Sequence, residues 1–478
     1  MIKEKNMKKS LFYILFAATA LCGCEGFLTE EPKLTQSNEL TLSNYDGLNK
    51  ATAGAYSPLY AQSWYGAQFN LSADLRGGNA KNPTNADFTS GRYKNEYFWS
   101  FSPSTTSGLW NYAYYVISAA NNVIDNLDGK DVGGITKQDL DNLKAECLFL
   151  RALGHFDLVR VYAQPYSRNP ETDLGVPYIK HTLSGAKPAR DKVNVVYESI
   201  IEDLLEAERI MADKYVRSGV TDPKGTVTKP AIQALLSRVY LYMGNWQKAA
   251  DYATLVIKNA GYSLWEKDEY KSVWGEDVTK GGEIIFCING NNGNSYYPGF
   301  EEISWIVNPE GYADVVSTSD LRDLYEDDDV RGKLFISHEN AQDHFWTLKY
   351  PGKGLSSPDA NNIVVLRLSE MYLNRAEAIY KGATITGVTA LDDLNAIAEI
   401  RGASPYDTPD AEKIFNERRK ELAFEGHIVF DYARLKKSLT RVDYDGTDNK
   451  TINFPDNKWA MPIPKGECDA NPNMVQNP

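Results

Sequence analysis

Residues 230–260, PAIQALLSRVYLYMGNWQKAADYATLVIKNA, constrain the fold more than any other stretch of the chain. Ile232, Leu235, Leu236, Val239, Tyr240 and Met243 recur at helical spacing, which predicts one apolar face. Pro230 suits a first helical turn, where its missing N–H costs little. Gly244 suits a helix stop and Asn245 the N-cap of a second helix. Ala249, Ala250, Ala253, Val256 and Ile257 make the second apolar stripe, and the alanines let the two helices approach closely. Gly261 closes a unit near the ~34-residue tetratricopeptide period. Such a pair cannot bury its face alone and demands helical neighbours.

The rest of the chain supplies them. Helical patterns are predicted over 44–60, 109–127, 137–162, 195–212, 361–381, 390–402 and 411–437. In the second of these Trp110, Tyr114 and Ile117 fall in core register. One short strand is predicted at 283–288, EIIFCI. Two stretches break the pattern, 61–103 and 289–314, both rich in Gly, Asn and aromatic residues. Long irregular segments in a compact protein usually carry function. The expected fold class is therefore mainly α: a tetratricopeptide-like helical-repeat superhelix packed against a loop-rich variable region with few short strands.

Charge and motifs exclude several functions. A formal net charge of −13 over 478 residues argues against nucleic acid as a partner. Neither a GxGxxG opening a helix nor a GxxxxGKS loop occurs, so no nucleotide cofactor is expected. Gln342 stands where a zincin beginning at His338-Glu339 would need its second histidine. Five scattered histidines and no GxSxG leave no metal site and no catalytic triad. Asp327-Asp328-Asp329 reads as a solvated turn ahead of Arg331, with calcium the weaker alternative. Glu417, Glu421 and Glu425 form a row on the 411–437 helix. They read as partners of arginines such as Arg367, Arg375 and Arg434 on a half-buried helix, not as acid/base residues. Cys147, Cys287 and Cys468 are far apart and do not suggest a disulfide framework; Cys147 falls on a core face. Thirty tyrosines against seventeen phenylalanines favour wet binding surfaces, although scattered surface tyrosines account for most of the excess.

The chain opens with Lys3, Lys5, Lys8 and Lys9 ahead of an apolar run over 11–21, too short to span a bilayer. Leu21-Cys22-Gly23-Cys24 then resembles a bacterial lipobox, with Cys24 the lipidated residue.

Taken in order, several segments resemble the SusD/RagB family of Bacteroidetes surface lipoproteins. They are the lipobox, LWNYAYYVISAANNVI at 109–124, AECLFLRALGHFDLVRVYAQPY at 145–166 and GVPY at 175–178. VLRLSEMYLNRAEAI at 365–379, ERRKELAFEGHIVFD at 417–431, MPIP at 461–464 and the terminal QNP complete the set. Ile428 and Ala433 stand where the family often has arginine. The resemblance implies a signal peptide over 1–23, a lipid-anchored tether over 24–40 and an N-terminal region over 41–225 with a first ligand loop. It further implies a tetratricopeptide-like hairpin and connector over 226–282, and a C-terminal region over 283–478 with a second ligand loop.

It also implies no catalysis, an outer-membrane location facing the exterior, and a SusC-like TonB-dependent transporter as partner. The ligand implied is a glycan or, alternatively, a peptide. A glycan site pairs flat aromatic faces with polar groups for the hydroxyls. The family draws its site from the first irregular region and the loop after the central strand, here residues 72–93 and 289–314, so the stacking candidates are Tyr296, Tyr297, Trp305 and Tyr312. The hydrogen-bonding candidates are Asp74, Arg76 and Asn79. Trp305, between Ile303 and Ile306, is the candidate most open to a core role. The competing readings are a glycoside hydrolase, which needs two convergent carboxylates, and a tetratricopeptide adaptor for protein tails.

Overall fold

A computed structural model describes residues 41–84, 86–127, 134–182, 185–220, 223–259, 261–275, 282–354 and 359–478. The leader, Cys24 and the tether lie outside the described residues. The helices of seven residues or more are α1 (Tyr45–Tyr56), α2 (Gln68–Gly77), α3 (Ser107–Leu127), α4 (Lys137–Tyr162), α5 (Val193–Ile210), α6 (Lys229–Met243), α7 (Trp246–Ile257), α8 (Leu368–Tyr380), α9 (Ala390–Ile400), α10 (Ala411–Glu421) and α11 (Ile428–Arg434). Each packs on its successor along the stack α3–α4–α5–α6–α7, and α7 continues onto α8 and α8 onto α9. Helical pairs thus bury one another's apolar faces in series, as a repeat fold requires.

The α6–α7 hairpin forms as its residues predict. Thr228 caps α6 and Pro230 occupies its first turn. Gly244 takes a left-handed φ of 73° and ends it, and Asn245 caps α7 by accepting from Lys248 N. Ile232, Leu235, Leu236 and Val239 on α6 and Ala249, Ala250, Ala253 and Val256 on α7 are fully buried. Ser237 on α6 donates to the carbonyl of Ala249 across the interface, at 2.9 Å.

Several sequence expectations are corrected. Residues 137–162 are predicted amphipathic, yet every residue of α4 from Ala145 to Tyr162 is buried. Its polar groups survive there because they are paired: Arg151 with Asp203 at 2.6 Å, and Asp157 with Arg160, Trp64 and Tyr65. The stretch 61–103, expected to be loop, contains α2, and Trp64, Tyr65, Phe69, Tyr93, Tyr97 and Trp99 in it are core. Gly77 lets α2 lie directly against α11: a Cβ there would meet Ile428 Cγ2 at 2.4 Å and Val429 N at 2.9 Å. The predicted helix at 361–381 begins only at Leu368. Residues Ile363–Arg367 form a strand antiparallel to Ile284–Ile288, both buried throughout. The hairpin Phe335–His338 with Ala341–Thr347 was not anticipated. The predicted 411–437 helix is broken between α10 and α11, where Phe424 and Gly426 adopt φ of 65° and 83°.

The glutamates are buried rather than half-buried: Glu417 and Glu421 on α10 fully, and Glu425, just past its end, nearly so. Glu421 accepts from Arg367 (2.6 Å), Arg331 (3.0 Å) and Arg401 (3.0 Å). Glu425 binds Arg367 (2.7 Å) and Lys349 (2.6 Å), and Glu417 binds Arg331 (2.6 Å) and Lys420 (2.7 Å). Burial alone would raise the Glu421 carboxyl; the three guanidinium groups outweigh it and hold it well below the usual range. Two expected arginine partners go elsewhere: Arg375 to Asp393, and Arg434 to Glu377 and Asp431. Asp329 is no solvated turn residue but a fully buried partner of Arg331, at 2.7 Å. Among the described residues no group of His, Cys, Asp and Glu could hold a metal ion, and no helix is long and apolar enough to cross a membrane. Cys147, Cys287 and Cys468 are in no disulfide.

Candidate functional site

The segment after the Ile284–Ile288 strand builds an aromatic shelf. One helical turn, Ile303–Ile306, turns Ile303 and Ile306 fully inward. Trp305 lies between them on the turn and stays half-buried, so its core role is only partial. Its ring meets Phe300 edge-on at 5.4 Å and Tyr312 at 6.4 Å. Phe300 is 49% exposed and Tyr312 half-buried. Tyr312 N donates to Trp305 O at 2.9 Å, which closes the loop and fixes the two rings side by side. That closure needs Gly311, since a Cβ there would sit 2.3 Å from Trp305 O.

A polar rim completes the shelf. The Arg92 guanidinium lies 3.6 Å from the Tyr312 ring centre, within cation–π reach. Its Nε and Nη2 donate to Glu301 Oε2 and Oε1 at 2.8 and 2.6 Å, a bidentate pair. Asp314, fully buried, holds this corner together. It accepts from Thr89 Oγ1 (3.0 Å), Ser90 N (2.7 Å), Ser90 Oγ and Gly91 N (3.1 Å). The first irregular region thus reaches the shelf through residues 89–92, clasped by a residue of the second. Below, Glu302 accepts from Ser304 N (2.6 Å), Tyr60 OH (3.1 Å) and Asn361 N (3.2 Å). Burial nevertheless outweighs these donors and raises its carboxyl to about 7.

A second aromatic group lies on the same segment. Tyr296 meets Tyr112 edge-on at 5.8 Å and Tyr115 at 6.2 Å, and Tyr115 is 55% exposed. Tyr297 stacks on buried Tyr60 at 6.1 Å. Two asparagine turns shape this part: Asn291 Oδ1 accepts from Gly293 N and Asn294 Oδ1 from Tyr296 N.

The four aromatic candidates therefore share one segment in two groups, Trp305 with Tyr312 and Tyr296 with Tyr297. The three polar candidates do not join them. Asp74 is fully buried, and its Oδ1 accepts from Phe424 N (2.8 Å) and Asn79 Nδ2 (2.9 Å). Burial raises it to about 6. Asn79 Oδ1 accepts from Arg419 Nε at 2.6 Å. Arg76 is 2% exposed and lies 4.5 Å from the Trp99 ring centre. Asp74 and Asn79 serve the junction between α2 and the α10–α11 region, and Arg76 donates to Trp459 O, so none of the three is on the shelf. Arg92, Glu301, Phe300, Asp314, Tyr112 and Tyr115 were missed. A signal existed for two of them: Tyr112 and Tyr115 fall off the core register that Trp110, Tyr114 and Ile117 set on α3.

A stack of helix pairs bearing an outward aromatic shelf defines a repeat scaffold that presents a binding surface. The SusD-like family model described as "Starch-binding associating with outer membrane" matches residues 26–241, and the SusD family model matches residues 344–478. A SusD superfamily protein from Bacteroides thetaiotaomicron VPI-5482 has TM-score 0.82 and 30% identity, covering 91% of this chain and 100% of that one. SusD-like protein P2 of Formosa agariphila is 24% identical over 98% of this chain and 99% of its own. Surface glycan-binding protein A from Bacteroides thetaiotaomicron, solved with laminarihexaose, shares the fold at TM-score 0.74 and 19% identity, over 91% of this chain and 99% of that one. The chain belongs to the SusD/RagB family.

Proposed function

We propose that this protein binds an oligosaccharide or polysaccharide on its aromatic shelf and delivers it to a SusC-like TonB-dependent outer-membrane transporter. It is a binding protein, not an enzyme. The observation that carries this is the Phe300–Trp305–Tyr312 cluster with Arg92 and Glu301 at its rim. Sugar C–H faces stack on such rings, while hydroxyls donate to the carboxylate and accept from the guanidinium. The family description, starch-binding and associated with an outer membrane, points to the same ligand class and surface. Glu301 is engaged by Arg92 on both oxygens, an arrangement suited to orienting hydroxyls.

In this reading Cys24 carries the lipid that holds the protein to the outer membrane, facing the exterior. Tyr296 and Tyr297, with Tyr112 and Tyr115, extend the surface beyond the shelf, so a longer glycan chain gains contacts a short one lacks. The test is a glycan and peptide array probed with the protein and with Trp305→Ala and Tyr312→Ala. Glycan binding lost in both variants supports the proposal. Glycan turnover by the purified protein, or peptide binding alone, overturns it.

A further inference from the structure

Arg76 is a buried cation without a carboxylate partner. Its guanidinium makes one long hydrogen bond, Nη2 to Trp459 O at 3.4 Å, and its Nε has no acceptor. Glu96 is the one acid whose charge reaches it, and the two do not approach within ion-pair distance. Two cavities meet at this side chain. One is lined by Arg76, Ser72, Gln68 and the Glu96 carboxylate. The other is lined by three arginines, Arg76, Arg160 and Arg434, with Gln164, Tyr197 and Tyr242, and no acidic side chain lines it.

We propose that this second cavity binds one small monovalent anion, a halide or a carboxylate group, between Arg76 and Arg160. Charge accounting favours it. Arg160 is paired with Asp157, and Arg434 with Glu377 and Asp431, Asp431 being shared with Arg418. Each of these cations is in contact with a carboxylate, which leaves Arg76 as the one guanidinium lining this cavity with no carboxylate in contact, Glu96 lying beside the adjoining cavity. Arg160 Nε, like Arg76 Nε, is buried without an acceptor, and both side chains line the cavity. A buried guanidinium held by a single long hydrogen bond is costly, and an anion in the cavity beside Arg76 offsets that cost. Size sets the class. The cavity has about 410 Å³ of empty space out to its mouth, and its enclosed end takes about one water-sized group. That fits a halide or a single carboxylate. The site is separate from the shelf, since none of the shelf rings lines it.

The test uses bromide as probe. Crystals of the protein soaked in sodium bromide should show an anomalous peak within hydrogen-bonding reach of Arg76 and Arg160; a peak absent there overturns the proposal. In solution, sodium bromide, chloride or acetate should raise Tm saturably relative to equal sodium gluconate, whose anion is too large to enter. Arg76→Met, which removes the charge while keeping an apolar stem, should abolish that saturable response. A response to halides alone assigns the site to a free ion, and a response to acetate extends it to carboxylate ligands. Equal Tm in all four salts sinks the idea whether or not the variant folds.

Discussion

Residues 61–103 and 289–314 look alike as sequence and end in opposite places. Both are rich in glycine, asparagine and aromatic residues. In the first, Trp64 and Tyr65 both donate to Asp157 on α4, and Trp99 donates to the Arg76 carbonyl. In the second, Phe300, Trp305 and Tyr312 meet chiefly one another and Arg92. Composition cannot separate these cases, because a ring's fate depends on what the rest of the chain lays over it. In the first segment Trp64 and Tyr65 lie against α4, Phe69 stacks on Phe430 of α11 and Trp99 meets Trp459 edge-on. The second follows a strand of a two-stranded sheet and leaves Phe300 exposed and Trp305 and Tyr312 half-buried. Asp314 links them, its carboxylate clasping residues 89–91 and its carbonyl accepting from Asn82.

Four experiments break or sharpen this contrast. Trp64→Ala empties a fully buried site and should cost about 3–5 kcal/mol in urea denaturation. Glycan affinity of the folded fraction should be unchanged; a loss of affinity at equal stability would place Trp64 in the site. Next in size is a pH effect. The Glu302 carboxyl is ordinarily near 4.5 and is raised to about 7 in the folded protein. The folded state thus holds a proton that the unfolded state releases between those values. Stability conferred by this group is present at low pH and lost as pH rises through 7, by about 3 kcal/mol in full. Asp74, raised to about 6, adds a slope of the same sign. Glu302→Gln should flatten the fall between pH 5 and pH 8, and an unchanged slope would assign it elsewhere.

The third experiment reverses the first. Trp305→Ala should weaken glycan binding by about thirtyfold, about 2 kcal/mol, with Tm held to within a degree or two. A large Tm drop would make Trp305 a core residue after all. The smallest effect is expected from Asp314→Asn, which leaves every shelf ring in place but disturbs the acceptor of residues 89–91. Affinity should fall about tenfold through mispositioned Arg92. Equal affinity with slower proteolysis of the 89–92 segment would contradict the clasp.

Much of the scaffold was legible. The α6–α7 hairpin follows from apolar spacing, Gly244 and Asn245, which are local matters of backbone conformation and periodicity. That Tyr296, Tyr297, Trp305 and Tyr312 share one segment was legible from their closeness in the sequence; which of them meet was not. The strand at Ile363–Arg367 was not, since an apolar run of that length has no period distinguishing it from a helix start. Nor was the break between α10 and α11. Phe424 takes its left-handed φ because Asp74, some 350 residues away, accepts its N–H.

What the sequence by itself determined, then, is the helical repeat, the family and the segment bearing the rings, because these rest on short-range spacing and order along the chain. The tertiary structure alone decided which polar residues flank the shelf rings. Asp74, Arg76 and Asn79 carry the right chemistry for sugar hydroxyls, yet distant segments enclose them. Arg92 and Glu301, unremarkable in sequence, meet over 209 positions to form the rim. Pairing at that distance is set by how helices and loops pack, and no local pattern encodes it.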